Sequence, residues 1–146
     1  MFTPTERRYL ATARVGRLGT ADSDGRPSVV PVCFALLGTE VVTPIDEKPM
    51  AGDPQTLRRV RDVRANPAVS LVVDHYDEDW SSLGWVQVRG TATVSEPAGP
   101  GHGDAVTALR AKYDQYADHD LESRPVILVD VGRVVSWGTL RRTTSE

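Results

Sequence analysis

The stretch "GWVQVRGTATVSE", residues 84–96, alternates apolar and polar side chains along much of its length. A period of two is the signature of a β-strand with one face buried and one face wet, and a helix cannot use it. Other segments of the chain read the same way. "AVSLVVDH" (68–75) is rich in β-branched residues and reads as a buried strand. "EVVTPI" (40–45) is a further strand, and "PVILVDVGRVVSWG" (125–138) gives a last strand or pair of strands. "VGRLGTADSDGRPSVVPVCFALLG" (15–38) reads as two strands around a turn, because "DSDG" supplies the residues that close a hairpin. Short antiparallel strands with a few inserted helices predict a mainly β chain: a closed barrel with peripheral helices.

Three helices are expected around those strands. In "TPTERRYLATA" Thr3 is placed to cap, Pro4 suits the first helical position and Glu6 completes a capping box. "DAVTALRAKYDQYAD" carries Ala105, Leu109 and Tyr113 at helical spacing, after a loop over "EPAGPGHG". The third helix is expected to start with Asp53 as N-cap and Pro54 as first residue, and to end at about Ala65, before Asn66-Pro67.

That third helix carries the most unusual chemistry. "DPQTLRRVRDVRANP" (53–67) concentrates Arg58, Arg59, Arg61 and Arg64 in a chain whose net charge is -3. On a helical wheel Leu57, Val60 and Val63 share the core side. Arg58 and Arg61, at i and i+3, can converge on one ligand, whereas Arg59 points elsewhere and flanks the apolar side. A helix N-terminus favours anions through its dipole and its free N–H groups, and guanidinium adds bidentate bonds to phosphate. The alternative is a solvated basic face with Asp62 and Glu47 as ion-pair partners, and spacing alone leaves both open.

The totals limit the field. At 146 residues and 40% hydrophobic, the chain suits one domain, 1–146, with a real core. Its acidic balance argues against a general nucleic-acid binder. No apolar run reaches the roughly 18 residues of a membrane span. The polar start "MFTPTERRYL" does not read as a signal peptide, and Cys33 stands alone, which fits a cytoplasmic location.

The order "GRLGTADSDGRPSVVPVCFAL", "VVTPIDEKP", "TLRRVRDVRANPAVSLVVDHYDEDW", "WVQVRGTATV" resembles the split-barrel flavin- and deazaflavin-binding proteins related to pyridoxamine 5'-phosphate oxidase. The resemblance runs from about Leu10 to Trp137 and is nearest to the short members assigned as F420-dependent oxidoreductases. It implies a six-stranded antiparallel split barrel and a homodimer with the cofactor at the interface. Arg59 falls where many members carry a phosphate-binding lysine. Arg58 is its neighbour, Arg61 supports from the same helix, and Lys48 in "IDEKP" is a further candidate on the loop leading in. The tricyclic ring is expected against Val30, Pro31, Val32 and Cys33 on one strand and the Val42–Pro44 region around Thr43 on the next. Trp137 either contacts the ring across the interface or packs in the core.

The chain also departs from the family pattern. "MAGDPQ" is inserted between Lys48 and the arginine helix, and arginine replaces the commoner lysine at 59. The tail "SWGTLRRTTSE" lacks the Arg-x-His signature of the vitamin B6 enzymes, which argues against such a substrate. The resemblance therefore implies an oxidoreductase in which coenzyme F420 carries hydride to or from a small unsaturated molecule. An FMN-dependent relative is the alternative, and a carrier of flavin or haem without turnover is a further one. F420 has a longer acidic tail than FMN, which exposed cations such as Lys48, Arg58 and Arg141 would suit.

Other constellations read more plainly. "DHYDEDW" (74–80) is expected to be a solvated loop, not a metal site, because one histidine among carboxylates is a weak ligand set. His102 and His119 are expected at the surface, Cys33 as a packing thiol, and Trp80 and Trp85 in the core or an interface. No catalytic residue is assigned. No nucleophile triad, glycine-rich phosphate loop or dinucleotide fingerprint stands out, which suits chemistry carried by a cofactor.

Overall fold

A computed structural model describes residues 1–45 and 57–141. The strands are β1 (Gly16–Ala21), β2 (Pro27–Val32), β3 (Ala35–Leu37), β4 (Glu40–Pro44), β5 (Ala68–His75), β6 (Gly84–Ser95) and β7 (Val126–Gly138). They form one antiparallel sheet in the order β2-β1-β5-β6-β7-β4-β3. The helices are α1 (Pro4–Thr12), α2 (Arg58–Ala65) and α3 (His102–Lys112), with short 3-10 turns at Trp80–Ser82 and Asp114–Asp118.

The sheet has to be rolled. β2 and β3 lie at its opposite edges, yet only Cys33 and Phe34 connect them. Two connecting residues reach about 10 Å at most, far less than the width of a flat seven-stranded sheet at about 4.8 Å per strand. The edges therefore curl toward each other, which gives the expected split barrel. The described residues form seven strands where six were expected, because the second expected strand breaks at Cys33–Phe34. There the Tyr113 hydroxyl brackets Phe34, accepting from its N–H and donating to its carbonyl, both at 3.1 Å. A side chain thus satisfies backbone groups that a ladder would otherwise take.

Local signals explain most boundaries. Thr3 caps α1, and Thr3 and Glu6 complete the reciprocal capping box. Gly25 takes φ +82° in the β1–β2 turn, and its N–H bonds the Asp22 carbonyl at 3.0 Å. α2 ends at Asn66, whose side-chain oxygen accepts from the Ala68 N–H. Its expected start at Asp53-Pro54 lies outside the described residues; within them the N-cap is Leu57, which gives no side-chain cap. β7 is one strand, with a bulge where Arg89 opposes Arg133 but Gly90 opposes Val131. The extra residue, Gly132, reverses the inward–outward phase. Val129 and Val131 point in before the bulge, and Val134 packs on the core after it.

The described residues form two cores. The barrel interior gathers Leu18, Phe34, Val41, Leu71, Val86, Val88 and Ile127, closed by Tyr9 and Leu10 of α1 and Val60 and Val63 of α2. On the outside, Ala105, Val106 and Leu109 of α3 pack with Ala35, Val42, Val126 and Leu128 of β3, β4 and β7. That outer cluster leaves the face of β2, β1, β5, β6 and the far half of β7 outside it.

Candidate functional site

The arginine helix packs on β1 and β6 with Val60 fully buried and Leu57 and Val63 against the barrel core, as the wheel predicts. Arg58, Arg59 and Arg61 then all stand in its first turn. Arg58 and Arg61 do converge: they line a pocket of about 280 Å³ with Asp22, Ser23, Asp62 and Ala65. Arg59 turns away from it and is only 7% exposed.

The pocket is more mixed in charge than an arginine count suggests. Asp62, 3% exposed, accepts from the Thr20 hydroxyl at 2.8 Å and from Arg58 Nε at 3.1 Å. Arg58 Nη2 also donates to the Arg26 carbonyl at 3.0 Å. Asp62 is one of the ion-pair partners expected for a solvated basic face, and it fixes Arg58 in place. Arg61 is different: it is exposed, and its side chain makes no hydrogen bond or ion pair among the described residues. Arg64 pairs with Glu96 away from the pocket. On the far wall, Asp22 is held below the usual carboxylate range. The backbone N–H of Arg26 contributes most to this, against a smaller opposing effect of burial.

The ring-contact candidates divide by strand phase. Val32 is buried and Val30 is packed against the barrel core, whereas Pro31 faces out. β2 is an edge strand, so one side of its backbone has no neighbouring strand among the described residues. Thr43 is 2% exposed, and its hydroxyl donates to the Cys33 carbonyl at 2.7 Å. Its side chain is therefore committed to the fold. Trp137 is 54% exposed on the outer face opposite Trp85, which rules out a place in the core of this chain. Lys48 lies outside the described residues, and Arg141 is exposed.

Sequence reading missed one pair. Arg89 and Arg133 sit directly opposite each other on the outer face of β6 and β7. Like charges at that spacing repel unless an anion lies between them. The same cross-strand row runs Val29, Gly19, Ser70, Arg89, Arg133, so two small residues leave a trough between Val29 and the arginines. The usable signal was the arginine at an outward position in both "WVQVRG" and "GRVV", which becomes informative only once the register is known.

Several expectations need correction. His75 ends β5 instead of lying in a loop: its Nε2–H donates to the Ser82 carbonyl, and its Nδ1 accepts from the Tyr9 hydroxyl at 2.7 Å. Asp74 pairs with Arg17, and Asp79 caps the following 3-10 turn. His102 is 3% exposed, its Nε2–H bonded to the Arg124 carbonyl at 2.6 Å, so it is not a surface residue. Trp80 is 70% exposed, which removes the core half of its expected core-or-interface placement and leaves the interface half standing. No group of three or more His, Cys, Asp or Glu side chains that could hold a metal lies among the described residues. No helix among them is long and apolar enough to cross a membrane.

The chain belongs to the pyridoxamine 5'-phosphate oxidase family, whose model matches residues 2–138. No curated protein matches it by sequence. Solved structures share the fold at low identity. A conserved hypothetical protein of Mycobacterium tuberculosis superposes with a TM-score of 0.73 at 20% identity, covering 94% of this chain and 86% of its own. The haem storage protein HutZ of Vibrio cholerae gives 0.72 at 14% identity, covering 92% of each chain. A protein described as an F420 reductase gives 0.64 at 22% identity, covering 88% of this chain and 94% of its own.

Proposed function

We propose that this protein is an oxidoreductase that binds coenzyme F420, with FMN as the alternative cofactor, and reduces or oxidises a small unsaturated molecule. The observation that supports this most is the first turn of α2. Exposed Arg61 and half-exposed Arg58 share one pocket there, and Arg58 is held in position by buried Asp62. The donor set suits a phosphate: two guanidinium groups beside a helix N-terminus. Asp62 sits behind Arg58 and is bonded by Thr20, so it orients the cation more than it repels a ligand.

When bound, the deazaflavin or flavin ring would supply the hydride chemistry. Arg61 and Arg58 would hold the phosphate, and the unpaired edge of β2 around Pro31 offers backbone groups to the ring. The outward Arg89–Arg133 pair would suit the acidic tail of F420 better than the shorter FMN. We also propose a homodimer. Val29, Pro31, Val72, Val135, Trp85 and Trp137 share the outer face, with Val29 at 66% exposure, and a second copy would cover them.

A haem carrier is the second reading, favoured by the shared fold with HutZ and with a haem-binding protein of Mycobacterium smegmatis. The chain's three histidines limit it. His75 has both ring nitrogens bonded and His102 is buried, which leaves exposed His119. The test is a side-by-side titration with F420, FMN and haemin, followed by absorbance and fluorescence. Tightest binding of F420 supports the reading. Binding of haemin alone, lost in His119→Ala, would replace it with the carrier.

A further inference from the structure

The outer face of the sheet carries its cations and its tryptophans in separate rows. One cross-strand row runs Ser70, Arg89, Arg133. Two residues along each strand the next row runs Val72, Gln87, Val135, and two residues further the third runs Asp74, Trp85, Trp137. Arg89 and Arg133 are exposed, and neither forms an ion pair among the described residues. Trp137 is 54% exposed and Trp85 half-buried. We propose, resting on the homodimer reading, that a second copy of this chain packs on this face with its strands reversed, so that Arg89 and Arg133 of each copy stack on Trp85 and Trp137 of the other.

Symmetry and charge together select that arrangement. Two copies of one sheet that stack face to face with aligned strands, related by a two-fold axis between them, have two choices. With the axis along the strands every row faces itself, and the arginines of one copy meet the arginines of the other. Like charges then oppose each other, and their repulsion grows as water leaves the interface. With the axis across the strands, over the Val72–Gln87–Val135 row, that row faces itself and the two flanking rows exchange. Arg89 then lies over Trp85 of the second copy, and Arg133 over Trp137. The register makes the fit exact in residue count. Arg89 and Trp85 both stand two residues from Gln87, and Arg133 and Trp137 both stand two from Val135, about 7 Å in each case.

The chemistry of the rows agrees with this exchange. A guanidinium over an indole face gains a cation–π attraction that strengthens when water is excluded. Asp74 lies beside Trp85 in the tryptophan row, and exposed Glu78 and Asp79 follow on the turn beyond it. That end of the face is therefore aromatic and acidic where the arginine row is basic. Trp80 extends it: 70% exposed on the same turn, its indole N–H donates to the Tyr76 hydroxyl at 3.3 Å. All three tryptophans of the chain thus stand at one end of the face. The middle row adds uncharged contact, with Val72 and Val135 meeting their own copies. A guanidinium that stacks by its face keeps its N–H edge for an anion, so the arginine pair still offers donors to an acidic cofactor tail.

The experiment measures the dimer dissociation constant by sedimentation velocity for wild type, Arg133→Glu, Trp137→Lys and the double variant, without cofactor and with folding checked by circular dichroism. Positions 133 and 137 of one chain lie four residues apart on β7, about 13 Å, too far to pair with each other. Recovery in the double variant therefore reads a contact between copies. Each interface holds every pairing twice, so each single variant should weaken the dimer about tenfold or more, and the double variant should return to within about threefold of wild type. Native mass spectrometry of the two single variants mixed should show the heterodimer in preference to either homodimer, because one of its pairings is the natural one and the other joins Glu to Lys. Singles that leave the dimer unchanged, or a loss recovered neither in the double variant nor in the mixture, overturn this packing while the dimer itself stands. A wild type that is monomeric at micromolar concentration overturns the homodimer reading and this packing with it.

Discussion

The hydroxyl of Thr43 donates to the carbonyl oxygen of Cys33 at 2.7 Å, joining the strand beside one edge of the sheet to the residue that leaves the other edge. With Tyr113 holding Phe34, it forms the clasp where the barrel comes closest to closure. Thr43→Val keeps the shape and leaves the carbonyl without that donor. The expected loss is about 1–2 kcal/mol of unfolding free energy, read by urea denaturation. An unchanged midpoint would mean that the clasp adds nothing to stability.

Acid should loosen the attachment of α1 before it opens the barrel. Burial pushes the Glu6 carboxyl up, but the hydroxyls of Ser136 and Thr3 and the Thr3 N–H together hold it below its ordinary 4.5. Arg110 likewise draws Glu122 down to about 2. A depressed carboxylate stabilises the fold above its unfolded value and loses that contribution as pH falls through the folded value. Melting temperature should therefore drop as pH falls from about 4.5 toward 2. Glu6→Gln and Glu122→Gln should each flatten part of that slope. A wild-type slope in both variants would mean that neither group contributes.

The outer face predicts assembly. Light scattering at micromolar concentration should give about twice the monomer mass, and Val29→Asp should shift the protein toward monomer without unfolding it. A monomeric wild type that still binds cofactor would remove the interface from the account.

The sequence carried the strands well because their period is local: "AVSLVVDH" is β5 to the residue, and "GWVQVRGTATVSE" is β6 to within one. The capping box at Thr3 and Glu6 was equally plain. What it could not carry were contacts between distant segments. The break at Cys33–Phe34 depends on Tyr113, 79 positions away from Phe34. The burial of His102 depends on a carbonyl 22 positions on, and the pairing of His75 on Tyr9 and Ser82. The bulge at Gly132, which turns Trp137 outward, is invisible until β6 supplies the register. At the arginine site, the convergence of Arg58 and Arg61 was legible from helical spacing. The engagement of Asp62 by Thr20 across 42 positions was not.

The central claim is that the first turn of α2 grips a cofactor phosphate. The direct measurement is the F420 dissociation constant of wild type, Arg61→Ala, Arg58→Ala and Arg64→Ala at one fixed ionic strength, with folding checked by circular dichroism. Loss of a charge-assisted bond costs about 1.5–3 kcal/mol, so Arg61→Ala and Arg58→Ala should each weaken binding by about one to two decades. Arg64, which pairs with Glu96 outside the pocket, should change it by less than about twofold, as for an exposed ion pair. Wild-type affinity in both Arg61→Ala and Arg58→Ala, or a loss confined to Arg64→Ala, would contradict the account.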